Sequence, residues 1–200
     1  MTRMIKLPEI IGIAGTSGAG KDTAGHLLAN YGYKFTSLSD TLRAELDVLG
    51  KEHTRENLRG LSSAWHREHG AEYLTLRTIT KYHNEKESFG YKGLAIGSVR
   101  RPAEARVIQA HDGAVLWLDA DRRVRFERIQ TAHRGRAEDA ASFDAWCQDE
   151  DTEMMPPSND DGSALNMAGV RDMADVMIDN SFEDEAHFRQ HFIELFELEK

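Results

Sequence analysis

The sequence predicts an α/β fold of three layers, in which a mostly parallel five-stranded sheet carries helices on both faces. Two observations support this prediction: short apolar runs alternate with helical patterns along the chain, and glycine or proline separates many of them. Strands that alternate with helices form parallel sheets, because each crossover helix returns the chain to the same edge. Ligands of such sheets bind beyond the carboxyl ends of the strands. A chain of 200 residues fits one domain with a sizeable core.

The first half of the chain contains two predicted strands and four predicted helices. The strands are residues 10–14 and 33–38, and the helices are residues 21–30, 41–49, 54–69 and 72–82. Ser39 and Asp40 are expected to cap the second helix, and Thr54 to open the third. Residues 84–92 are polar and are interpreted as a loop.

The second half contains three further strands, each separated from the next by helix. The strands are residues 93–97, 114–118 and 176–178, and the helices are residues 103–110, 121–131, 142–153 and 183–198. Pro102 stands in the first turn of its helix, where its missing N–H costs nothing. Residues 133–141 and 154–163 are interpreted as loops.

The most informative segment is IIGIAGTSGAGKDT at residues 10–23. An apolar strand leads into Gly15-x4-Gly20-Lys21, and a helix follows at once, which is the context that a phosphate-binding P-loop requires. Glycines let several N–H groups face one anion, the helix start adds a positive dipole end, and Lys21 can reach the outer phosphates. A plain surface turn is the alternative. The residues expected to bind a nucleoside triphosphate are Gly15, Thr16, Ser17, Gly18, Ala19, Gly20, Lys21, Asp22 and Thr23.

The metal position of this motif is unusual. Asp22 follows the lysine where a Ser or Thr hydroxyl normally ligates Mg²⁺. Three arrangements stay open: Asp22 holds the metal through water, Thr23 contributes its hydroxyl, or the nucleotide itself carries most of the metal's ligands.

Charge and composition exclude several classes of protein. The net charge of −9 argues against nonspecific binding to nucleic acid. Residues 1–137 hold 22 Lys and Arg against 16 Asp and Glu, whereas residues 138–200 hold 3 against 18. The chain has one cysteine and no apolar run that could cross a bilayer, and its first residues lack the apolar core of a secretion signal. We expect a cytoplasmic protein without nucleic-acid or membrane partners; the oligomeric state is not predicted.

A second motif follows the second strand. The segment SLSDTLR at residues 37–43 places Arg43 one turn beyond Asp40, as a surface helix cap or as a fork for a phosphate. Together with the P-loop, S-D-x-L-R resembles the P-loop nucleoside and nucleotide monophosphate kinases. In adenylate kinases the arginine of a similar segment holds the phosphate of the acceptor, a role that the resemblance implies for Arg43. The GKDT form of the loop resembles deoxynucleoside monophosphate kinases, and dephospho-coenzyme A kinase is a related alternative.

The same resemblance implies roles for other arginines. Arg100 in SVRRPAE matches an arginine that contacts the acceptor, although Gly97 stands where the family has a strand-end acid. The residues that resemble the arginines of a mobile lid, which close over the triphosphate, are Arg128, Arg134 and Arg136. The arginines interpreted instead as members of charge pairs along a helix, such as Arg123 with Glu127, are Arg122, Arg123 and Arg125. Residues 173–180 resemble the segment around the last strand of this class, whose following loop passes near the base; a purely structural strand with polar ends is the alternative.

The resemblance implies one P-loop NTPase domain over residues 1–200. Its core is expected at residues 8–50, 93–132 and 164–200, with an acceptor-binding helical insert at 52–83 and a lid at 128–160. The expected activity transfers the γ-phosphoryl group of ATP, with Mg²⁺, to a small phosphorylated acceptor, foremost a (deoxy)nucleoside monophosphate. One alternative is phosphorylation of an alcohol with Asp40 as general base. Another is a nucleotide-binding regulator that hydrolyses ATP slowly.

Overall fold

The computed structural model describes residues 5–132, 142–156 and 164–199. Its centre is a sheet of five strands, and all four strand pairings are parallel. The strands are β1 (Ile10–Gly15), β2 (Tyr33–Ser37), β3 (Gly93–Gly97), β4 (Ala114–Asp119) and β5 (Val176–Asp179). Their order across the sheet is β2-β3-β1-β4-β5, so the strand that leads into the P-loop is central. The predicted five-stranded α/β fold is confirmed.

Helices connect the strands and cover both faces of the sheet. The helices are α1 (Lys21–Asn30), α2 (Leu38–Val48), α3 (Arg55–His69), α4 (Tyr73–Phe89), α5 (Pro102–Ala110), α6 (Arg122–Ala132), α7 (Phe143–Met154), α8 (Met167–Asp172) and α9 (Glu185–Phe196). None of the helices in the described ranges has the length and apolar character that a membrane span needs.

The core consists of two apolar clusters, one on each face of the sheet. Successive residues of β1 point to opposite faces, so Ile10 belongs to one cluster and Ile11 to the other. The first cluster packs the sheet against α2, α4, α5 and α8, and the second packs it against α1 and α9. The three-layer arrangement of the prediction is therefore observed, with the P-loop at the carboxyl edge of the middle layer.

Two predicted boundaries are wrong, and one helix was not predicted. Helix α2 begins at Leu38, because the hydroxyl of Ser37 accepts from the backbone N–H of Asp40 and so caps the helix earlier than expected. Helix α4 continues to Phe89 through the segment interpreted as a loop, where Lys86 bonds to Glu9 at 2.8 Å. Helix α8 was not predicted, since its 6 residues are too few to show a periodic pattern.

Candidate functional site

The P-loop has backbone angles that only glycine adopts readily. Gly15, Gly18 and Gly20 have φ angles of 135°, 76° and 89°. A Cβ atom on Gly15 would lie 2.0 Å from the carbonyl oxygen of Leu118, and one on Gly18 would lie 2.7 Å from that of Arg125. Left-handed residues that alternate with right-handed ones turn successive N–H groups toward one point, which forms an anion-binding nest. The loop therefore fits a phosphate group.

Lys21 folds back across this loop. Its Nζ donates to the carbonyl oxygen of Thr16 at 2.5 Å. Burial, together with the positive charge of Arg100, lowers the pKa of Lys21 to about 8, while the nearby carboxylates of Asp22 and Glu153 oppose the shift. The lowered pKa reflects an ammonium group that is withdrawn from water and lies close to a second positive charge. An anion in the loop would stabilise the charged form of Lys21.

Arg100 is held rigidly beside the P-loop, after β3, which neighbours β1. Its backbone N–H donates to the carboxylate of Glu104 at 2.7 Å, and its carbonyl oxygen accepts from the N–H of Asn166 at 3.1 Å. Glu104 is only 1% exposed, and Ser98 at the start of this turn has a φ angle of 63°. The backbone of Arg100 is thus fixed on both sides, and its guanidinium lies 3.9 Å from Glu153.

Asp40 and Arg43 lie in the first turns of α2, at the edge strand next to β3. Arg43 Nη1 donates to Asp40 Oδ1 at 2.6 Å, and the backbone N–H of Ser37 donates to Asp40 Oδ2 at 3.1 Å. Burial alone would raise the pKa of Asp40, but the hydrogen bonds from Ser37 and Arg43 outweigh it and hold the pKa below its usual value. Asp40 is the N3 residue of a capping box whose N-cap is Ser37, whereas the sequence predicted Asp40 as part of the cap itself.

On the other side of β1, Asp119 ends strand β4 and binds the P-loop. The hydroxyl of Thr16 donates to Asp119 Oδ1 at 2.7 Å, and the same oxygen accepts from the N–H of Ala120 at 2.8 Å. Sequence reasoning missed this residue. Its signal was present, since a carboxylate that directly follows a buried strand lies at the carboxyl edge of the sheet.

Arg125 forms a charge pair, as interpreted, but the pair is buried and joins two helices. It is 2% exposed and forms a bidentate pair with Glu150 of α7, in which Nη2 and Oε2 are 2.9 Å apart. Its Nη1 also donates to the carbonyl oxygen of Ser17 in the P-loop at 3.1 Å. Of the other two arginines, Arg122 is exposed and pairs with Asp151, as interpreted, whereas Arg123 is exposed and lies over the ring of Phe143, a contact that was not predicted.

Arg128 lies on the β5 side of the P-loop. Its Nη2 donates to the carbonyl oxygen of Phe182 at 2.9 Å, and burial lowers its pKa. It borders a cavity of about 640 Å³ between α6 and the loop after β5, which Ser181, Phe182 and Glu183 also line. The other two predicted lid residues, Arg134 and Arg136, lie outside the described residues.

The chain was compared with protein families and with proteins of similar sequence. No family model matches the chain. It is 29% identical over 143 residues to a UPF0200 protein of Methanocaldococcus jannaschii, a match that spans 70% of this chain and 69% of the relative. It is 26% identical over 181 residues to a UPF0200 protein of Staphylothermus marinus, covering 90% of this chain and 87% of the relative.

Solved structures agree on the fold. Shikimate kinase from Bacteroides thetaiotaomicron superposes with a TM-score of 0.54 over 94% of this chain and 98% of its own, at 17% identity. An uncharacterised protein from Eubacterium ventriosum superposes with a TM-score of 0.51 over 96% and 100%, at 14% identity. The chain has the P-loop kinase fold.

In this P-loop kinase fold, the described residues contain no group of three or more His, Cys, Asp or Glu that could hold a metal ion. Asp22 is exposed at the start of α1, and the neighbouring Thr23 is half-buried. The P-loop backbone thus forms an anion-binding nest, and the candidate metal ligands beside it in the described residues are Asp22 and Thr23.

Proposed function

We propose that the protein is an ATP-dependent phosphotransferase. One observation carries the proposal: the P-loop, Lys21 and Arg100 meet at the central carboxyl edge of a parallel sheet, where burial and the positive charge of Arg100 lower the pKa of Lys21 to about 8. Such a concentration of donors is what the dispersed negative charge of a migrating phosphoryl group requires.

The donor triphosphate is proposed to bind the P-loop, where the residues from Gly15 to Thr23 surround it. Its base would enter the cavity beside Arg128, whose volume of about 640 Å³ lies within the usual range of small-ligand pockets. The strand order supports this placement, because β4 and β5 lie on the opposite side of β1 from Arg43 and Arg100.

Magnesium is proposed to enter this site as a complex with the nucleotide. Phosphate oxygens and waters commonly supply most ligands of Mg²⁺. Asp22 and Thr23 stay the candidates from the chain, with Asp22 acting through water. When bound, the metal would neutralise charge on the phosphates; it leaves the positioning of both substrates to the residues of the protein.

The acceptor is proposed to be a (deoxy)nucleoside monophosphate, held by Arg43 and Arg100. Both guanidinium groups follow neighbouring strands, β2 and β3, and among the described residues each pairs with a carboxylate that is itself exposed. The Arg100 partner, Glu153, is at 3.9 Å, a distance at which the pair is weak and exchangeable. A phosphate with two or three oxygens would be the stronger ligand of such a pair of arginines.

The chemistry needs little from the protein beyond alignment. An oxygen of the acceptor phosphate forms a bond to the γ-phosphorus, and the bond from that phosphorus to the β–γ bridging oxygen breaks, which leaves ADP. The attacking oxygen is already ionised, so no general base is required. Lys21 and Arg100 hold and neutralise the reacting groups. Arg128 with Arg134 and Arg136 is proposed to exclude water.

A transfer screen with γ-labelled ATP tests this proposal. Purified protein is incubated with Mg²⁺, labelled ATP and a panel of ribonucleoside monophosphates, deoxynucleoside monophosphates and dephospho-coenzyme A. We expect label on one class of monophosphate, and none with the Lys21→Ala variant. Label only on dephospho-coenzyme A would favour an alcohol acceptor. ATP hydrolysis that is indifferent to every acceptor would contradict the proposal and favour the regulator.

A further inference from the structure

We propose that Arg125 and Asn180 are positioning residues that turn two peptide groups of the P-loop, so that the N–H groups of Gly18 and Gly20 face the phosphates. The inference rests on the proposed function and deepens it, because it names the side chains outside the loop that make the loop an anion site. Neither residue needs to touch the nucleotide to do this.

Arg125 holds the first peptide group. Its Nη1 donates to the carbonyl oxygen of Ser17 at 3.1 Å, while its Nε donates to that of Ala120 at 2.8 Å. Its backbone packs directly on the loop, since a Cβ on Gly18 would lie 2.7 Å from the Arg125 carbonyl oxygen. Because the side chain is 2% exposed, the guanidinium lies behind the loop and not in the open nest.

The direction of the Gly18 N–H follows from the planarity of the peptide group. In a trans peptide the carbonyl of one residue and the N–H of the next point in opposite directions. The described residues contain no cis peptide bond. Since the Ser17 carbonyl points back at Arg125, the N–H of Gly18 points away from it, toward the side on which an anion would bind.

Asn180 acts in the same way on the second peptide group. Its Nδ2 donates to the carbonyl oxygen of Ala19 at 2.9 Å, which directs the N–H of Gly20 away from Asn180. Asn180 is 4% exposed, and its own N–H donates to the carbonyl oxygen of Asp119 at 2.7 Å. A Cβ on Gly20 would lie 2.4 Å from Nδ2, so the two residues are in close contact.

The two hydrogen-bonded peptide groups, Ser17–Gly18 and Ala19–Gly20, are separated by one peptide group. The carbonyls of Ser17 and Ala19 are drawn outward, and the residues that follow each of them, Gly18 and Gly20, have positive φ angles of 76° and 89°. An alternation of this kind directs N–H groups toward one point. Without the two outside donors, either peptide group could rotate and present a carbonyl oxygen to the phosphates, which would repel them.

Glu150 fixes the orientation of Arg125 and connects the loop to α7. Both of its oxygens accept from the guanidinium, and the ring of Trp146 lies 5.1 Å from Arg125 Cζ. A buried arginine without this carboxylate would be an uncompensated charge. The packing of α7 therefore contributes to the geometry of the phosphate nest.

Amide NMR with inorganic pyrophosphate as the probe tests the proposal without any turnover. In the wild-type protein we expect the ¹⁵N–¹H signals of Gly18 and Gly20 both to move strongly on titration, since both N–H groups bind the anion. The double variant Arg125→Met with Glu150→Leu removes the donor and its counter-charge together, because a buried ion pair replaced by apolar residues often leaves the fold intact. It should lose the Gly18 response selectively and bind pyrophosphate about tenfold more weakly.

Asn180→Leu is the second variant and needs no change in the ion pair. It keeps the size of the side chain, removes the donor, and should lose the Gly20 response while keeping that of Gly18. The matched control is the ion pair within α9, Arg189→Met with Glu185→Leu, which should change neither signal.

Each remaining outcome contradicts the proposal. Wild-type responses in both variants would show that other groups orient the loop. Equal loss of both signals in either variant would show a purely structural role. A wild-type protein that binds neither pyrophosphate nor ATP would overturn the proposed function itself, and this inference with it.

Discussion

Glu153 of α7 faces Arg100 at the edge of the P-loop, with 3.9 Å between Oε1 and Nη1. The two side chains act on Lys21 with opposite sign: Arg100 lowers the pKa of the ammonium group, and Glu153 raises it. A carboxylate of α7 therefore lies within the electrostatic field of the proposed phosphates. Because it carries the same charge as they do, it competes with them for Arg100.

Neutralising Glu153 is expected to strengthen the binding of a phosphate-bearing acceptor. Glu153→Gln removes the competing charge while it keeps the size of the side chain, and we expect the acceptor KM to fall about two- to fivefold at low salt. Steady-state kinetics measure the change. Asp149→Asn, at an exposed position on the same helix, controls for net charge. A higher KM for Glu153→Gln would mean that Glu153 helps to hold the acceptor.

The affinity for ATP is expected to depend on pH through Lys21. The pKa of about 8 belongs to the protein without nucleotide, and a bound phosphate favours the charged form and raises it. Below pH 8 the lysine is already protonated, so affinity should be flat. Above pH 8 binding must take up a proton, and the affinity should fall about tenfold per pH unit. Calorimetric titrations from pH 7 to 9.5 measure this slope.

The Lys21→Arg variant is the control for that dependence. A guanidinium stays protonated over the whole range, so its affinity, even if weaker throughout, should show no break near pH 8. The same break in both proteins would assign the titration to another group.

The class of acceptor can be decided at Asp40. If the acceptor is a phosphate, Asp40→Asn should keep most of kcat, because no base is needed, whereas Arg43→Ala should raise the acceptor KM by about tenfold or more. The lowered pKa of Asp40 agrees with this, since it makes the carboxylate a weaker base. Ser37→Ala breaks the same capping box but keeps the carboxylate, and so separates loss of the cap from loss of a base.

A loss of several orders of magnitude in kcat from Asp40→Asn, with Ser37→Ala active, would identify an alcohol acceptor. In that case the monophosphate proposal fails, and the phosphotransferase proposal stands.

Gly18→Ala should abolish nucleotide binding. The added Cβ would meet the Arg125 carbonyl oxygen at 2.7 Å, and the φ angle of 76° is unfavourable for alanine, so the loop must change shape. Gly60→Ala is the matched control, because that glycine lies in α3 with open space around it. It should bind ATP normally and gain up to about 1 kcal/mol in the free energy of unfolding, measured in urea. Normal ATP affinity for Gly18→Ala would contradict the description of the loop.

The sequence predicted the fold well because its signals are local. The bounds of β3 and of α1 and α5 follow from apolar runs, glycines and Pro102, and the P-loop is contiguous in sequence. The prediction of the α2 cap was wrong, because Ser37 and Ser39 are both good caps. Only the three-dimensional structure shows that the hydroxyl of Ser37 accepts from the N–H of Asp40. The last turns of α4 include Lys86, whose hydrogen-bond partner Glu9 is 77 residues away, so this contact could not be predicted from local sequence.

The site was predicted only in part for the same reason. The glycines and Lys21 form a recognisable spacing, but Arg125 stands among four arginines within seven residues, and nothing in their local spacing separates the buried one from the exposed ones. Its partners, Ser17 and Glu150, are 108 and 25 residues away. Asp119 is likewise defined by its contact with Thr16, 103 residues distant.

The central claim is that the P-loop binds a triphosphate through its backbone and Lys21. Isothermal titration of Mg²⁺ and ATP into the folded wild-type protein and into Lys21→Ala at pH 7 tests it most directly. We predict one saturable site in the wild type and an affinity at least about tenfold lower in the variant. Absence of saturable binding in the wild type, or equal affinity in the two proteins, would contradict the claim.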